Sequence, residues 1–303
     1  MLGAKAIARA KINLFLQVGP RREDGYHEIR SVMQSLELYD ELFFRRTDGS
    51  GGKVLLRCND KNLPTGADNL IWRALEVFEG EAGPIDGGVE VFINKMIPMG
   101  AGLAGGSADA AATLLALDHI YELELSADTL MDMAARIGSD VPFCMRGGTV
   151  MATGRGERLE PLEHLPPFPV VLATPDEEAS TAEVYERFDL LLEDEETHRE
   201  DEAEQALDAL LEGVRKHDVE SVYSNLRNNL ESATIATKRV EEYKSVAREA
   251  GASAVLMTGS GPTVFALVSG MDRAAEVAWE LEKIAPITIV TSFSDRGAEI
   301  KKL

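Results

Sequence analysis

The stretch PMGAGLAGGSADAA, residues 98–111, determines how the rest of this 303-residue sequence is interpreted. Four glycines lie between Gly100 and Gly106, and an alanine-rich helix is predicted to open near Ser107. Glycines adopt positive φ angles and let backbone amides approach a ligand that a Cβ would keep away. A helix N-terminus adds unpaired N–H groups and a partial positive charge. The stretch therefore predicts a backbone-built site for a phosphate group.

Three known phosphate loops differ from this pattern. Gly100, Gly102 and Gly105 have the G-x-G-x-x-G spacing, but a dinucleotide fold needs it after its first strand, with an acidic residue about 20 residues later. Gly106 stands where a P-loop needs its lysine. A protein-kinase loop lies between two strands, whereas residues 108–117 are predicted to be helical. The alternative without a ligand is a flexible turn that caps the helix, but a cap needs only one glycine.

The composition limits the class of partner. The chain has 31 Lys and Arg against 52 Asp and Glu, a net charge of -21 that argues against nucleic acid or an anionic membrane as the main partner. An anionic small molecule can still bind where a local site overrides this field. Cys58 and Cys144 show no metal or disulfide pattern, which fits a reducing compartment. With no signal peptide and no apolar run near ~18 residues, we expect a soluble cytoplasmic protein.

The length and the order of elements predict two α+β domains, residues 1–160 and 161–303. Four prolines between residues 161 and 169 mark the boundary. The first domain begins with strands, and the turn at residues 48–52 is expected to join two of them as a hairpin. Helices follow the strands. The second domain is predicted to hold helices and strands around a glycine turn at residues 258–262.

Lys11 and Asp140 are the charged residues that stand out. Lys11 lies between apolar neighbours near the centre of the first predicted strand, where burial costs free energy unless the charge has a partner. Asp140, in a break after a predicted helix, is a candidate for that partner. The alternatives stay open: a lysine that reaches solvent from an exposed face, and an aspartate that is only a turn residue.

Four segments together resemble the GHMP kinase superfamily: AKINLFLQVGPRREDGYHE (10–28), IPMGAGLAGGSADAAATLLAL (97–117), IGSDVPF (137–143) and LMTGSGPTVFAL (256–267). The resemblance runs from residue 5 to about residue 268 and includes all three superfamily motifs in order. It implies a two-domain α+β GHMP kinase fold. The N-terminal domain would be a mixed β-sheet with helices and the C-terminal domain a ferredoxin-like α/β sandwich, with the active site in the cleft between them.

The resemblance implies a kinase that transfers the γ-phosphate of ATP, with Mg²⁺, to an alcohol. It is closest to superfamily members that phosphorylate the 2-hydroxyl of a cytidine-diphosphate-linked methylerythritol in isoprenoid biosynthesis, so this small molecule is the expected partner. By the same resemblance, Lys11 and Asp140 flank the acceptor hydroxyl. The residues implied to hold the nucleotide phosphates are Pro98, Gly100, Gly102, Leu103, Ala104, Gly105, Gly106 and Ser107.

Other residues are implied on the substrate side. The turn Gly259, Ser260 and Gly261 would close that side of the cleft, and Asn13 would help to hold the substrate. Tyr26 can stack on a pyrimidine, which is worth ~1–3 kcal/mol in base-stacking sites, and His27 can hydrogen-bond its polar edge. By the resemblance, Tyr185 meets the second face of the base. Judged without the family, Tyr26 and His27 would more simply be packing residues between a loop and a strand.

The sequence departs from the superfamily loop at two positions. Glycine is common where Ala104 stands and serine where Ala108 stands, so we expect altered loop geometry rather than lost activity. Two rival functions remain. A GHMP kinase for homoserine or mevalonate would have no base to stack on Tyr26, and a silent binding protein would not need both Lys11 and Asp140.

Overall fold

The computed structural model describes residues 3–49, 53–176, 180–192 and 198–301. These residues form two β-sheets with helices packed against them. The elements up to residue 161 are β1 (Gly3–Arg21), β2 (His27–Thr47), β3 (Val54–Cys58), α1 (Leu70–Ala82), β4 (Gly88–Asn94), α2 (Gly105–Tyr121), α3 (Ala127–Ile137), α4 (Val141–Arg146), β5 (Thr149–Thr153) and β6 (Arg158–Pro161). Those that follow are β7 (Pro169–Thr174), α5 (Thr181–Leu192), α6 (His198–Lys216), α7 (Val219–Ser224), β8 (Arg227–Asn228), a 3₁₀ helix (Asn229–Ala233), α8 (Thr237–Glu249), β9 (Ala254–Met257), β10 (Val264–Leu267), α9 (Met271–Leu281), β11 (Ile287–Ser292) and β12 (Glu299–Lys301).

The first sheet has the order β12-β1-β2-β4-β3, and β5, β6 and β8 are attached to it. Residues 27–47 form one long strand, β2. The predicted hairpin at residues 48–52, of which 50–52 lie outside the described residues, is wrong, because β4 lies between β2 and β3. Both strands alternate buried and exposed residues, but Val89, Val91 and Ile93 of β4 are more completely buried than Val54 and Leu56 of β3, which fits the inner position of β4 and the edge position of β3.

The second sheet has the order β11-β7-β10-β9, and every neighbouring pair is antiparallel. Helices α8 and α9 pack against it. In chain order this is a strand, helices, two strands, a helix and a strand, with the last strand beside the first, which is the ferredoxin-like arrangement. The predicted α+β architecture with two sheets is confirmed.

Strand β1 runs between the two halves of the molecule and is buried on both faces. Its small residues Ala4, Ala6 and Ala8 join the core that contains the alanines of α2. Ile12 and Leu14 join a second core shared with the strands of the second sheet. Because most of β1 is enclosed in this way, a charged side chain on it costs free energy unless it has a partner inside the protein.

The end of the chain returns to the first sheet. Strand β12 pairs with β1, and Arg9 on β1 donates hydrogen bonds to Gly297 O at 2.9 Å and to Glu299 Oε1 at 2.8 Å. The division of the chain at residue 160 therefore stays a prediction. No helix in the part of the chain that the structure describes is long and apolar enough to cross a membrane.

Candidate active site

A cleft of about 830 Å³ is lined by β1, the start of β2, the loop before α2 and the turn after β9. We call the loop of residues 98–107 the phosphate loop and the turn of residues 258–262 the glycine turn. The sequence-predicted site residues that line the cleft are Lys11, Asn13, Tyr26, His27, Pro98, Gly100, Gly102, Leu103, Ala104, Gly105, Gly106, Ser107, Asp140, Tyr185, Gly259 and Ser260. Gly261 does not line it, and its backbone packs against Gly102 of the phosphate loop instead.

The phosphate loop ends at the start of helix α2, which is two residues earlier than predicted. Ala104 adopts a left-handed conformation, with φ of 57°, and is the N-cap, so the helix begins at Gly105. No side chain caps this helix, and its first turn has no acidic residue. The first N–H groups and the helix dipole are therefore available to an anion. Alanine here keeps a conformation that glycine adopts without strain.

The phosphate loop is held between β1 and the glycine turn. The backbone N–H of Lys11 donates to Leu103 O at 3.1 Å. On the other side, a Cβ placed on Gly102 would lie 2.4 Å from Thr258 O and 3.1 Å from Gly261 O. The backbones approach so closely that only glycine fits at residue 102. The two glycine segments, more than 150 residues apart, thus form one wall of the cleft.

The Lys11 ammonium lies 3.5 Å from the carboxylate of Asp140, and the Lys11 side chain is only 5% exposed. Its Nζ donates to Asn13 Oδ1 at 2.8 Å. Asn13 is fixed in turn, because its Nδ2 donates to Ser31 Oγ at 2.8 Å and its backbone N–H donates to Thr258 Oγ1 at 3.1 Å. Lys11 is therefore not a lysine that reaches solvent, and a hydrogen-bond network fixes its ammonium at the cleft.

Asp140 occupies the N-cap position of α4, a short helix that the sequence did not predict. Its side chain makes no capping hydrogen bond, and 33% of it is exposed. The carboxylate lines the cleft rather than closing the helix end. Asp140 is thus more than a turn residue, since its oxygens are available to a group bound beside Lys11.

Aromatic residues line the cleft where β2 and α5 meet. Tyr26 is half exposed, and the Arg155 guanidinium lies 4.7 Å from the centre of its ring. The rings of His27 and Tyr185 are 5.0 Å apart, and His27 Nε2 lies 2.7 Å from Asp189 Oδ1. Burial, with a smaller contribution from the charge of Asp140, raises the pKa of the Tyr185 hydroxyl, so this hydroxyl is uncharged.

The glycine turn is anchored by residues that sequence reasoning missed. The Asn228 side chain donates to Met257 O and to Gly259 O, both at 2.8 Å. The hydroxyls of Ser260 and Thr181 are 3.0 Å apart, which connects the turn to α5. No spacing rule joins Asn228 to residue 259, so nothing in the sequence alone points to this pairing.

Beneath the phosphate loop lies a buried ionic cluster that was also missed. The Lys95 Nζ is 2.6 Å from Asp40 Oδ2 and 2.7 Å from Asp109 Oδ2, and all three side chains are at most 4% exposed. Burial raises the pKa of Asp109 to about 7, against the opposing effect of Lys95. Burial alone would lower the pKa of Lys95, but the charges of Asp109 and Asp40 raise it. One signal was available: Asp109 is the only charged residue in GGSADAAATLLAL, residues 105–117.

A further part of the cleft wall is formed by residues just before α1 and by the first residue of that helix. Leu63, Pro64 and Leu70 line it, and a Cβ on Gly106 would lie 3.8 Å from Leu70 Cδ1. Asn69 holds this wall in place, since it is the N-cap of α1 and its side chain accepts a hydrogen bond from Ile71 N. An apolar surface thus adjoins the first turn of α2, and the sequence did not indicate it.

The acidic side chains that the structure describes were compared with the requirements of a metal site. No group of three His, Cys, Asp or Glu side chains within the described ranges could hold a metal ion. This fits Mg²⁺ that enters with a nucleotide, because Mg²⁺ is usually held by one or two carboxylates together with phosphate oxygens and water. Asp140 is a carboxylate at the cleft that can take part in such a site.

Comparisons with known proteins identify the family of this chain. The model of the GHMP kinases N terminal domain matches residues 69–148, and the model of the GHMP kinases C terminal domain matches residues 206–285. A 4-diphosphocytidyl-2-C-methyl-D-erythritol kinase from Pelotomaculum thermopropionicum is 42% identical over 287 residues, which are 94% of this chain and 96% of that protein. The enzyme of the same name from Exiguobacterium sibiricum is 42% identical over 88% of this chain and 90% of its own length.

Solved structures give the same result. A crystal structure of 4-(cytidine 5'-diphospho)-2C-methyl-D-erythritol kinase superposes with a TM-score of 0.74 at 32% identity, and the match covers 96% of this chain and 99% of that chain. A homoserine kinase from Cytophaga hutchinsonii has a TM-score of 0.79 at 18% identity, covering 99% of this chain and 97% of that one, which shows a shared fold alone. The chain therefore has the GHMP kinase fold and belongs to the GHMP kinases, in the same family as the 4-diphosphocytidyl-2-C-methyl-D-erythritol kinases.

Proposed function

We propose that this protein transfers the γ-phosphate of ATP to the 2-hydroxyl of 4-diphosphocytidyl-2-C-methyl-D-erythritol. The observation that carries the proposal is the Lys11–Asp140 pair at 3.5 Å in a cleft that also contains an uncapped helix N-terminus. The names of the relatives supply the substrate. The reaction belongs to isoprenoid precursor synthesis, and we place the enzyme in the cytoplasm.

The phosphate loop binds the triphosphate in this proposal. The N–H groups at the start of α2 and the backbone of residues 98–107 face the phosphate oxygens, since glycines there leave room for a close approach. The wall formed by Leu63, Pro64 and Leu70 receives the adenine. Mg²⁺ bound with ATP neutralises phosphate charge, and the Asp140 carboxylate is the residue of this chain that we expect to share it.

Lys11 and Asp140 act on the acceptor hydroxyl. Phosphoryl transfer has a loose transition state, so positioning and charge stabilisation supply most of the catalysis. Asp140 orients the hydroxyl and accepts its proton late, and Lys11 holds Asp140 and the transferring phosphoryl group. A purely electrostatic role for Asp140 is the alternative.

The substrate lies between β2, α5 and the glycine turn. Tyr26 stacks on the cytosine, Tyr185 meets its other face and His27 reads its polar edge. Asn13, Gly259 and Ser260 hold the diphosphate and alcohol part, and the Ser260 hydroxyl lies 3.0 Å from that of Thr181 on α5. We keep the division into ATP-binding residues 1–160 and substrate-binding residues 161–303 as part of the proposal.

A substrate panel tests the proposal. Purified protein is incubated with ATP, Mg²⁺ and one of three alcohols: the cytidine-linked methylerythritol, homoserine or mevalonate. We expect only the first to be phosphorylated, at its 2-hydroxyl. Lys11→Ala and Asp140→Ala should abolish turnover while nucleotide binding persists, and Tyr26→Ala should chiefly raise KM. Equal turnover of homoserine would favour the rival kinase, and binding without any turnover would favour a silent binding protein.

A further inference from the structure

The side chain of Asp189 contacts His27 at the cleft wall. His27 is at the start of β2 and its side chain is 6% exposed, whereas Asp189 is on α5 and is 31% exposed. His27 Nε2 and Asp189 Oδ1 are 2.7 Å apart. A carboxylate only accepts hydrogen bonds, so the proton of this bond is carried by Nε2. Both residues line the cleft, which places the contact at the site rather than behind it.

The contact with Asp189 determines which hydrogen-bonding group the His27 ring presents to a ligand. With Nε2 protonated and directed at Asp189, the other ring nitrogen, Nδ1, is left for a group bound in the cleft. In the neutral ring Nδ1 is a hydrogen-bond acceptor. The ring of Tyr185 lies 5.0 Å away and restricts rotation of the imidazole. Position and tautomer are thus fixed by two residues of the same helix, α5.

Pyrimidine bases differ at the atom that such an acceptor reads. Cytosine carries an amino group at position 4, which donates hydrogen bonds, whereas uracil carries a carbonyl oxygen there, which only accepts. An Nδ1 acceptor can accept a hydrogen bond from the amino group of cytosine. Against uracil, the lone pair of Nδ1 would face a lone pair of the carbonyl oxygen, and no hydrogen bond would form. A site whose buried polar group is left unpaired discriminates strongly against the wrong ligand.

We infer that Asp189 is a positioning residue that fixes the tautomer of His27 and thereby makes the site prefer a cytosine nucleotide over a uracil nucleotide. This inference rests on the proposed function, because it assigns the pyrimidine to the His27 side of the cleft. Asp189 itself does not touch the base. The competing explanation is a structural role, in which Asp189 only links α5 to β2.

Base preference in matched variants tests the inference. Asp189→Asn keeps the shape but lets the amide donate to Nε2, which permits the other tautomer. The control, Glu186→Gln, removes one negative charge from the same helix and from a cleft-lining residue that has no hydrogen bond to His27 in the described structure. We measure kcat/KM for the cytidine-linked alcohol and its uridine analogue. The wild type and the control should prefer cytidine by about 10- to 100-fold, and Asp189→Asn should lose at least about tenfold of this preference, mainly through KM.

Two results would overturn the inference. One is an Asp189→Asn enzyme that is slower on both substrates by the same factor, since a structural link would act in that way. The other is a wild-type His27 that carries its proton on Nδ1, read from ¹⁵N shifts of histidine-labelled protein. The chain has five histidines, so the spectrum of a His27→Gln variant identifies the signal. This measurement uses the wild-type protein, so it tests the inference even if Asp189→Asn does not fold.

The inference about Asp189 and the proposed function can be refuted independently of each other. Calorimetry with CDP and UDP measures base preference without turnover. If the cytidine-linked alcohol is not phosphorylated but CDP binds more tightly than UDP and Asp189→Asn removes the difference, the reaction is wrong and the role of Asp189 is right. If the wild type turns over the cytidine-linked alcohol but shows no base preference, the reaction is right and the role of Asp189 is wrong.

Discussion

Replacing Gly102 with alanine should push the phosphate loop and the glycine turn apart. The added Cβ would lie 2.4 Å from Thr258 O, so the phosphate loop and the glycine turn must move apart by about 1 Å to restore an ordinary 3.4 Å contact. The φ of 75° adds about 1–2 kcal/mol of strain for a residue with a Cβ. Because Leu103 O accepts the backbone N–H of Lys11, the shift should also displace the Lys11 ammonium.

We expect Gly102→Ala to lose at least about 1–2 kcal/mol of unfolding free energy and about 100-fold in kcat, since a misplacement near 1 Å has that effect on positioned groups. Urea unfolding and a coupled ADP assay measure the two quantities. Gly106→Ala is the stability control, because its Cβ would approach no atom closer than 3.8 Å and it lies within α2. Gly270→Ala, with nothing within 4 Å, is the activity control. A Gly102→Ala protein as stable and as fast as its controls would refute the packing argument.

Three further predictions concern the same wall. Ala104→Gly should raise the unfolding free energy by about 1 kcal/mol, because it relieves a left-handed alanine; an unchanged urea midpoint would contradict this. Asn228→Ala leaves Met257 O and Gly259 O without the side-chain donor of Asn228, so it should lower the unfolding free energy by about 1–3 kcal/mol. It should also raise KM for the alcohol, and an effect on stability alone would argue against a link to the site. Burial raises the pKa of Asp109 to about 7 in the folded protein, above the unfolded value of about 3.9. The unfolding free energy of the wild type should therefore fall relative to that of Asp109→Asn as pH rises from about 4 to about 7. Parallel curves of unfolding free energy against pH for the two proteins would rule this out.

The local parts of the site could be predicted from the sequence. The glycine run, the helix after it and the turn at residues 258–262 are signalled by neighbouring residues, and the structure places them together. The start of α2 was predicted two residues late, because Ala104 adopts a left-handed conformation that alanine seldom takes. The hairpin at residues 48–52 was wrong because turn chemistry says nothing about which strand is apolar enough to take the inner position.

Contacts between distant residues could not be derived from spacing. From the residues alone Asp140 was only a candidate partner for Lys11, since 129 positions separate them and no periodicity relates them. The family resemblance was what implied that the two side chains flank the same hydroxyl. Asn228, Thr181 and Asp189 were missed for the same reason. Each is a polar residue of an ordinary kind, and its role follows only from the backbone or side chain that the fold brings opposite to it.

The enclosure of β1 has a consequence for biosynthesis. The first strand carries Lys11, yet the Asn13 beside it is fixed by Thr258, 245 residues later in the chain. A nascent polypeptide is therefore expected to complete this cleft only after most of its length has left the ribosome. Contacts of such long sequence separation slow folding. We expect a chain truncated before residue 258 to be inactive, because it lacks Thr258 and the glycine turn that complete the cleft wall.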